Sequence, residues 1–331
     1  MSFTSETGAL GLAIQATKGV NVQPGANDYI RVTQVDINPE AKKLIPNAEI
    51  GGSADVTEIL QGEYGIKGSL DAYVRPEVMG ILFYGALGKY TASGSVDTGA
   101  YLHNFQPIAS GSLPWLSIKK SISDNVVVFD YTDCKVDGFS LDINANEICS
   151  AKFPLSGISD AIGTPATPGF EEGPLLAATK ATINLNGVPV QVQKCSVELK
   201  NNLDDKEYVI GSRFKQDITA KRRELTVKLD IILDTTTNLY QKAFYGAGNA
   251  TSAGLLVEAE SFDIILDSPT KIGVSNISYK CLLSIKNAVF MSAPIPASGD
   301  NLVVISLELQ ATKLAGQNII DIKLWNDRVT Y

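Results

Sequence analysis

Leu225-Thr226-Val227-Lys228-Leu229-Asp230-Ile231 alternates apolar and polar residues without a break. Successive strand side chains leave on opposite faces, so a period of two predicts a strand with one packed face and one wet face. The same alternation returns in Phe139-Ser140-Leu141-Asp142-Ile143-Asn144, over 261–267 and over 303–310. Between Ile183-Asn184-Leu185 and Val190-Gln191-Val192 stands Asn186-Gly187, two residues that tolerate positive φ, which predicts a two-residue hairpin turn. Helices are few. The stretch 76–87 has Pro76 in its first turn, apolar Val78, Met79, Leu82 and Phe83 on one side, and Gly88 as a stop. A second candidate, 236–245, is capped by Asp234 and ended by Gly246 and Gly248.

These helices expose an internal repeat. Phe83-Tyr84-Gly85-Ala86 recurs as Phe244-Tyr245-Gly246-Ala247. Upstream, Asp55-Val56-Thr57 parallels Asp217-Ile218-Thr219, Glu63 with Ile66-Lys67 parallels Glu224 with Val227-Lys228, and Ile50-Gly51 parallels Ile210-Gly211. Both copies read strand, long loop, strand, strand, helix in one order, which a chance tetrapeptide does not produce. The length of 331 residues also suits two domains, each with its own core. Between the copies, Gly157, Gly163, Pro165, Pro168, Gly169 and Glu171-Glu172 form a stretch with no apolar period, the composition of a linker. The expected division is an arm over 1–27, copy one over 28–158, a linker over 159–177, copy two over 178–313, and a tail over 314–331.

Composition narrows the function. Hydrophobic residues at 44% and charged residues at 19% describe a folded chain, and 28 Gly and 14 Pro favour strands and turns. A net charge of -8 argues against a surface that neutralises phosphates or anionic lipid. The basic triplet Lys221-Arg222-Arg223 reads as a solvated strand edge. Cys134, Cys149, Cys195 and Cys281 are widely spaced without a CxxC pair, which suits buried thiols in a reducing compartment better than a metal site. No basic segment followed by an apolar stretch opens the chain, and no run of about 18 apolar residues occurs, so neither a standard secretory signal nor membrane insertion is expected.

A search for catalytic chemistry finds little. The single histidine, His103, lacks a neighbouring serine or cysteine motif and reads as structural. Residues 80–89 are glycine-spaced without the phosphate-cradling GxxxxGK[ST] order. Asp142, Glu198 and Glu308 fall on the polar side of alternating strands, the place of solvated carboxylates. No catalytic residue, cofactor or metal is therefore expected.

The order of these segments resembles the major tail tube proteins of long-tailed bacteriophages, of the siphophage type. The resemblance rests on Glu6-Thr7-Gly8-Ala9-Leu10-Gly11-Leu12-Ala13-Ile14-Gln15-Ala16-Thr17, on residues 63–68, on Phe83-Tyr84-Gly85-Ala86-Leu87-Gly88, and on Leu113-Pro114-Trp115-Leu116-Ser117-Ile118. It continues through Cys134-Lys135-Val136-Asp137-Gly138-Phe139-Ser140-Leu141 and Phe153-Pro154-Leu155-Ser156-Gly157. Copy two departs from the pattern after Gly248, where the Leu-Pro-Trp-Leu phrase has no counterpart.

The resemblance implies two tandem β-sandwich or half-barrel domains, each with one flanking helix, whose inner sheets join neighbours around a channel. Three such chains make a pseudo-hexameric ring, and rings stack into a tube through which DNA passes. Implied partners are further copies of the chain, the tape measure protein that sets tube length, the tail terminator, the tail tip proteins and double-stranded DNA in transit. The implied location is the virion tail, after assembly in the host cytoplasm. On that reading Glu63, Lys67, Asp71, Glu224, Lys228 and Asp230 are candidates for the channel wall. Leu44, Ile45, Tyr208, Ile210 and Phe214, in two long loops, are candidates for contacts between stacked rings. Alternatives are the inner tube of a contractile tail or injection machine, and a two-domain carbohydrate-binding or adhesin protein.

Overall fold

The computed structural model of the chain describes residues 8–53, 55–109, 112–123, 125–170, 173–232, 238–255, 257–294 and 303–331. It is mostly β, with 54% strand and 6% helix, as the alternating segments predict. In chain order the first half carries β1 (Ala9–Gln15), β2 (Tyr29–Ile30), β3 (Gln34–Leu44), β4 (Leu60–Tyr73), α1 (Met79–Leu87), β5 (Gly88–Asp97), β6 (Ala100–Pro107), β7 (Trp115–Ile122), β8 (Val127–Val136), β9 (Gly138–Asn144), β10 (Ser150–Gly157) and β11 (Ser159–Ile162). The second half carries β12 (Ala181–Leu185), β13 (Val188–Pro189), β14 (Val192–Lys200), β15 (Leu203–Asp204), β16 (Thr219–Ala220), β17 (Glu224–Ile232), α2 (Asn238–Tyr245), β18 (Ala259–Lys271), β19 (Ser278–Ser292), β20 (Val304–Ala311) and β21 (Asp321–Asn326).

Among the described residues the strands named above pair antiparallel, and isolated parallel bridges join Tyr29 to Phe170 and Tyr64 to Phe214. An outer layer runs β2-β1-β7-β8-β11 and an inner layer runs β3-β4-β10-β9. In the second half the outer layer runs β12-β18-β19-β21 and the inner layer β14-β17-β20, closed by the C-terminal part of β19. Two further pairings tie the halves together. β9 pairs along its whole length with β14, and β6 pairs with β21, so the β5-β6 hairpin extends the outer layer of the second half.

Burial follows the expected alternation. Leu225, Val227, Leu229 and Ile231 of β17 are buried, as are Phe139, Leu141 and Ile143 of β9. At the β12-β13 turn Asn186 and Gly187 have φ of 50° and 76°, the pair of left-handed residues that a tight hairpin requires. The core gathers around α1, where the Phe83 ring lies 5.4 Å from Phe139, 5.8 Å from Phe153 and 6.3 Å from Phe105. All four cysteines are buried and unpaired.

The structure departs from the expected elements in several places. α1 starts at Met79, whose N–H donates to Arg75 O, and Gly88 at φ 88° ends it by donating to Tyr84 O. Rather than covering a sheet with one apolar side, α1 is buried on every side except at Tyr84, as an all-apolar helix must be. Gly80 makes room for the Tyr331 ring, which a Cβ would approach to 2.1 Å. α2 ends where expected, with Gly246 at φ 86°, while Asp234 and residues 236–237 lie outside the described residues.

The stretch expected to be a linker is bound to the sheet. β11 pairs with β8, Thr164 O accepts from Lys119 Nζ at 2.9 Å, and Ala166 O accepts from Asn125 Nδ2 at 2.8 Å. These contacts use backbone carbonyls, so no apolar period announces them. The supposed tail over 314–331 contains β21, with Ile322 and Leu324 buried between β19 and β6, and ends with Tyr331 Oη donating to Pro76 O at 2.8 Å.

Candidate functional site

Because β9 and β14 join, the two inner layers form one continuous sheet, β3-β4-β10-β9-β14-β17-β20-β19. Directly opposed residues share a face. One rung therefore crosses the sheet through Gln34, Asp71, Lys152, Ser140, Glu198, Thr226 and Gln310. All but one of its positions present polar groups, and the rung closes on Val289 of β19. A second rung carries Asp142, Ser196, Lys228 and Glu308, and a third Asn144, Lys194, Asp230 and Ser306. The opposite face is the apolar core.

Strand alternation alone places all six proposed wall residues here. Glu63, Lys67 and Asp71 leave β4 on this face, and Glu224, Lys228 and Asp230 leave β17 on it. Asp36, Glu40, Asp142, Glu198 and Glu308 add further carboxylates, offset in part by Lys152, Lys194 and Lys200. Several charges are paired: Lys152 with Asp71 at 3.4 Å, Lys200 with Glu198 at 2.9 Å, Lys228 with Glu308 at 3.8 Å, and Lys42 with Glu63 at 3.7 Å. These pairs are solvent-screened and contribute little to stability; they offset part of the charge and leave carboxylates in excess on this face.

The two long loops have the same tip. Gly52 N–H donates to Glu49 O with Gly51 at φ 87°, and Ser212 N–H donates to Val209 O with Gly211 at φ 92°. Ile50 and Ile210, the residues before those glycines, are fully exposed at 109% and 105%. Leu44 and Ile45 are exposed as well. Phe214 is exposed too and Tyr208 is half-buried, and both belong to a second-half loop that folds back onto β4 of the first half. Tyr208 Oη donates to Tyr64 O at 3.4 Å, Phe214 packs edge-on to Tyr64 at 5.5 Å, and Tyr64 N–H donates to Arg213 O at 2.8 Å. Asp205 reaches Lys67 at 2.8 Å, and that hydrogen bond holds the Lys67 ammonium above its usual range.

Sequence reasoning missed the residue that anchors this loop. Lys135 is buried, with Nζ donating to Ile218 O at 2.6 Å, Ser112 Oγ at 2.7 Å and Asp217 Oδ1 at 3.2 Å, and it lies 3.8 Å from the Trp115 ring centroid. Burial lowers its pKa, and Asp217 opposes that shift. Nothing local marks it, since the partners lie 23 to 83 residues away. A second buried amine, Lys215, donates to Ser156 Oγ at 3.1 Å, and burial also pushes its pKa down.

His103 is fully buried, with one ring nitrogen 2.9 Å from Tyr90 Oη and the other 2.8 Å from Arg328 O, and burial lowers its pKa. Trp115 is covered by Lys135, and Trp325 packs with Ala100, Ile272 and Tyr279. Of the basic triplet, Lys221 pairs with Asp204 at 2.7 Å and Arg223 donates to Asn201 Oδ1 at 3.0 Å. Among the described residues no group of three His, Cys, Asp or Glu is arranged to hold a metal ion. Among the described residues no helix is long and apolar enough to cross a membrane.

No curated protein matches the chain. A sequence profile of the family described as phage tail tube protein matches residues 5–311, nearly the whole chain. With that match added to a mostly β fold, the chain belongs to the phage tail tube protein family.

Proposed function

We propose that this chain is the repeating subunit of a tail tube of the siphophage type, closing into trimeric, pseudo-hexameric rings that stack around a channel for DNA. The observation that carries this reading is the continuous inner sheet, polar on one face along both halves and ending in β3, which among the described residues pairs with no strand but β4. Eight strands per chain give about 24 in a ring of three, and at a spacing near 4.8 Å and a tilt near 40° the barrel is about 48 Å across. After side chains, about 35 to 40 Å remains, enough for duplex DNA. The excess of carboxylates on the polar face supports its use as the channel wall, because a negative surface lets phosphates slide where a basic one holds them.

The exposed loop tips at Ile50 and Ile210, with Leu44 and Ile45, support contact between stacked rings. Tyr208 and Phe214 also seat their loop on Tyr64, and Phe214, 42% exposed, remains available for the same contact. The matching pairing order in residues 9–162 and 181–326 supports a duplicated domain, with β9-β14 as the internal joint. The partners that follow are further copies, the tape measure protein within the channel, the terminator and tip proteins at the tube ends, and DNA in passage. Assembly then takes place in the host cytoplasm and the product resides in the virion tail. Electron microscopy of the purified protein, with its mass in solution, tests the proposal. Hollow tubes or rings of three chains are expected; a protein that remains monomeric at every concentration refutes it.

A further inference from the structure

His103 is the single histidine of the chain, and residues 326–331 are packed onto it. His103 and Asn326 are both fully buried. Asn326 Nδ2 donates to Pro76 O at 2.8 Å and to Tyr331 Oη at 2.6 Å, and its Oδ1 accepts from Arg328 N–H at 3.1 Å. Arg328 donates onward to Thr330 O at 2.9 Å and pairs across with the Asp28 carboxylate ahead of β2. The Tyr331 ring stands edge-on to His103 at 4.9 Å, with Phe105 at 5.7 Å and Tyr90 at 5.9 Å, over the notch at Gly80 of α1. The segment therefore clasps α1, β6 and the end of the arm, all in the first half, to β21 of the second.

The hydrogen bonds fix the protonation state of the ring. Arg328 O, 2.8 Å from Nε2, can only accept, so Nε2 carries the hydrogen. Nδ1 then accepts from the Tyr90 O–H, 2.9 Å away. A second proton has to go to Nδ1, where the Tyr90 hydrogen already points. Tyr90 must turn its O–H aside, and a charge appears in a site closed to water. The groups around the ring do not compensate that charge. β5 supplies Tyr90, the clasping segment supplies Arg328 and Tyr331, and α1 carries no charged residue. On β21, Leu324 opposes His103, so Asp321 and Lys323 leave on the other face. Asp28 is paired with Arg328, Asp327 accepts from Tyr279 Oη at 3.4 Å, and the Glu77 carboxylate lies against Gly173. Burial disfavours the charged ring, the hydrogen bonds to Arg328 O and Asn326 oppose that in part, and the Arg328 cation adds to it.

We infer that residues 326–331 form an acid-released latch with His103 as its trigger: the neutral ring holds the segment, and a second proton at Nδ1 frees it and opens α1 at Gly80. The direction follows from linkage. An imidazole in water protonates below about pH 6.5, and the released segment leaves His103 in that condition, whereas the seated ring resists the proton. The latch is therefore fully held above about pH 6.5 and loosens as the pH falls below it, until the lower pKa of the seated ring is reached. This device acts within one chain and does not depend on the tube reading.

Hydrogen exchange over 326–331 and the first turn of α1, corrected for the intrinsic pH dependence of exchange, tests this between about pH 7 and pH 5. At about pH 5 a solvated imidazole is protonated about 30 to 1, so opening of the segment should rise up to about 30-fold. His103→Gln keeps an N–H for Arg328 O and cannot take the proton, so its opening should change less than about twofold over the same range. Because the chain has one histidine, ring-labelled protein gives a single imidazole resonance, which should keep its neutral shift to well below pH 6.5 in the folded state. Opening that rises less than about threefold, an equal rise in His103→Gln, or a ring that titrates at about pH 6.5 or above overturns the latch. If His103→Gln does not fold, exchange and ring titration of the unaltered protein decide between the two outcomes.

Discussion

Replacing Lys135 with Met keeps the length of the side chain and removes its donors. The ammonium of Lys135 now holds Ile218 O, Asp217 Oδ1 and Ser112 Oγ from a buried position over Trp115. A hydrogen bond from a charged group contributes about 1.5–3 kcal/mol, and a desolvated cation over an indole about 2 kcal/mol. Against this, the variant no longer has to desolvate an ammonium, and the Asp217 side chain, 48% exposed, regains water on release. Breaking a buried pair costs about 3–5 kcal/mol, and the half-exposed partner places this one at the low end, about 3 kcal/mol. The loss falls on the seating of residues 201–220 rather than on the whole fold. At 1.4 kcal/mol per tenfold, the open population of the loop rises about 150-fold. Lys215 reports that opening, because it is only 6% exposed and becomes a trypsin site when the loop lifts. Peptide-resolved proteolysis should show cleavage after Lys215 accelerating about 100-fold in Lys135→Met while far-UV circular dichroism is unchanged. An acceleration below fivefold refutes the anchoring role.

Other consequences follow from the same packing. Gly138 has φ 130°, and a Cβ there would stand 1.9 Å from Leu199 O, so Gly138→Ala should cost more than about 3 kcal/mol and lower the denaturant midpoint sharply; an unchanged midpoint contradicts the β9-β14 register. Phe83→Ala should lose about 3–5 kcal/mol, read as a lower Tm, because three aromatic rings converge on the vacated space. Burial raises the thiol pKa of Cys149 from 9.0 to about 12 and pushes the other three up as well. Above pH 9 the unfolded chain then releases thiol protons that the native chain keeps, so these groups make stability fall between about pH 9 and 12. Tm measured across that range should decline, with a smaller slope in Cys149→Ser, and iodoacetamide should leave the native thiols unmodified at neutral pH.

The strands that alternate strictly were legible because one of their faces is packed and the other wet. β17, β18 and β20 were therefore readable from local pattern, as were the Asn186-Gly187 turn and the glycine stops of both helices. β21 was legible by the same rule, since Ile322 and Leu324 alternate with Asp321 and Lys323, yet its distance from the repeat made it look like a tail. The segment 159–170 was not legible, because its hold on the sheet runs through backbone carbonyls. Lys135 was invisible for a related reason: a lysine in a strand reads as solvent-facing, and only the return of a loop 83 residues later covers it. The six proposed wall residues share one face because strand geometry dictates it. That the faces of the two halves are continuous depends on β9 meeting β14, a pairing between segments about 50 residues apart that no periodicity encodes.

The β6-β21 pairing sets a clock on biosynthesis. Residues 101–105 leave the ribosome more than 200 residues ahead of the partner strand at 322–326. At about 5–20 residues per second that interval is about 10 to 40 s. Through it the first outer hairpin waits with one margin bare, and α1 lacks the Tyr331 ring that lids it. A nascent chain is therefore incomplete at its centre until Tyr331 has been added, so only chains extended past β21 and that residue can present a settled surface to one another.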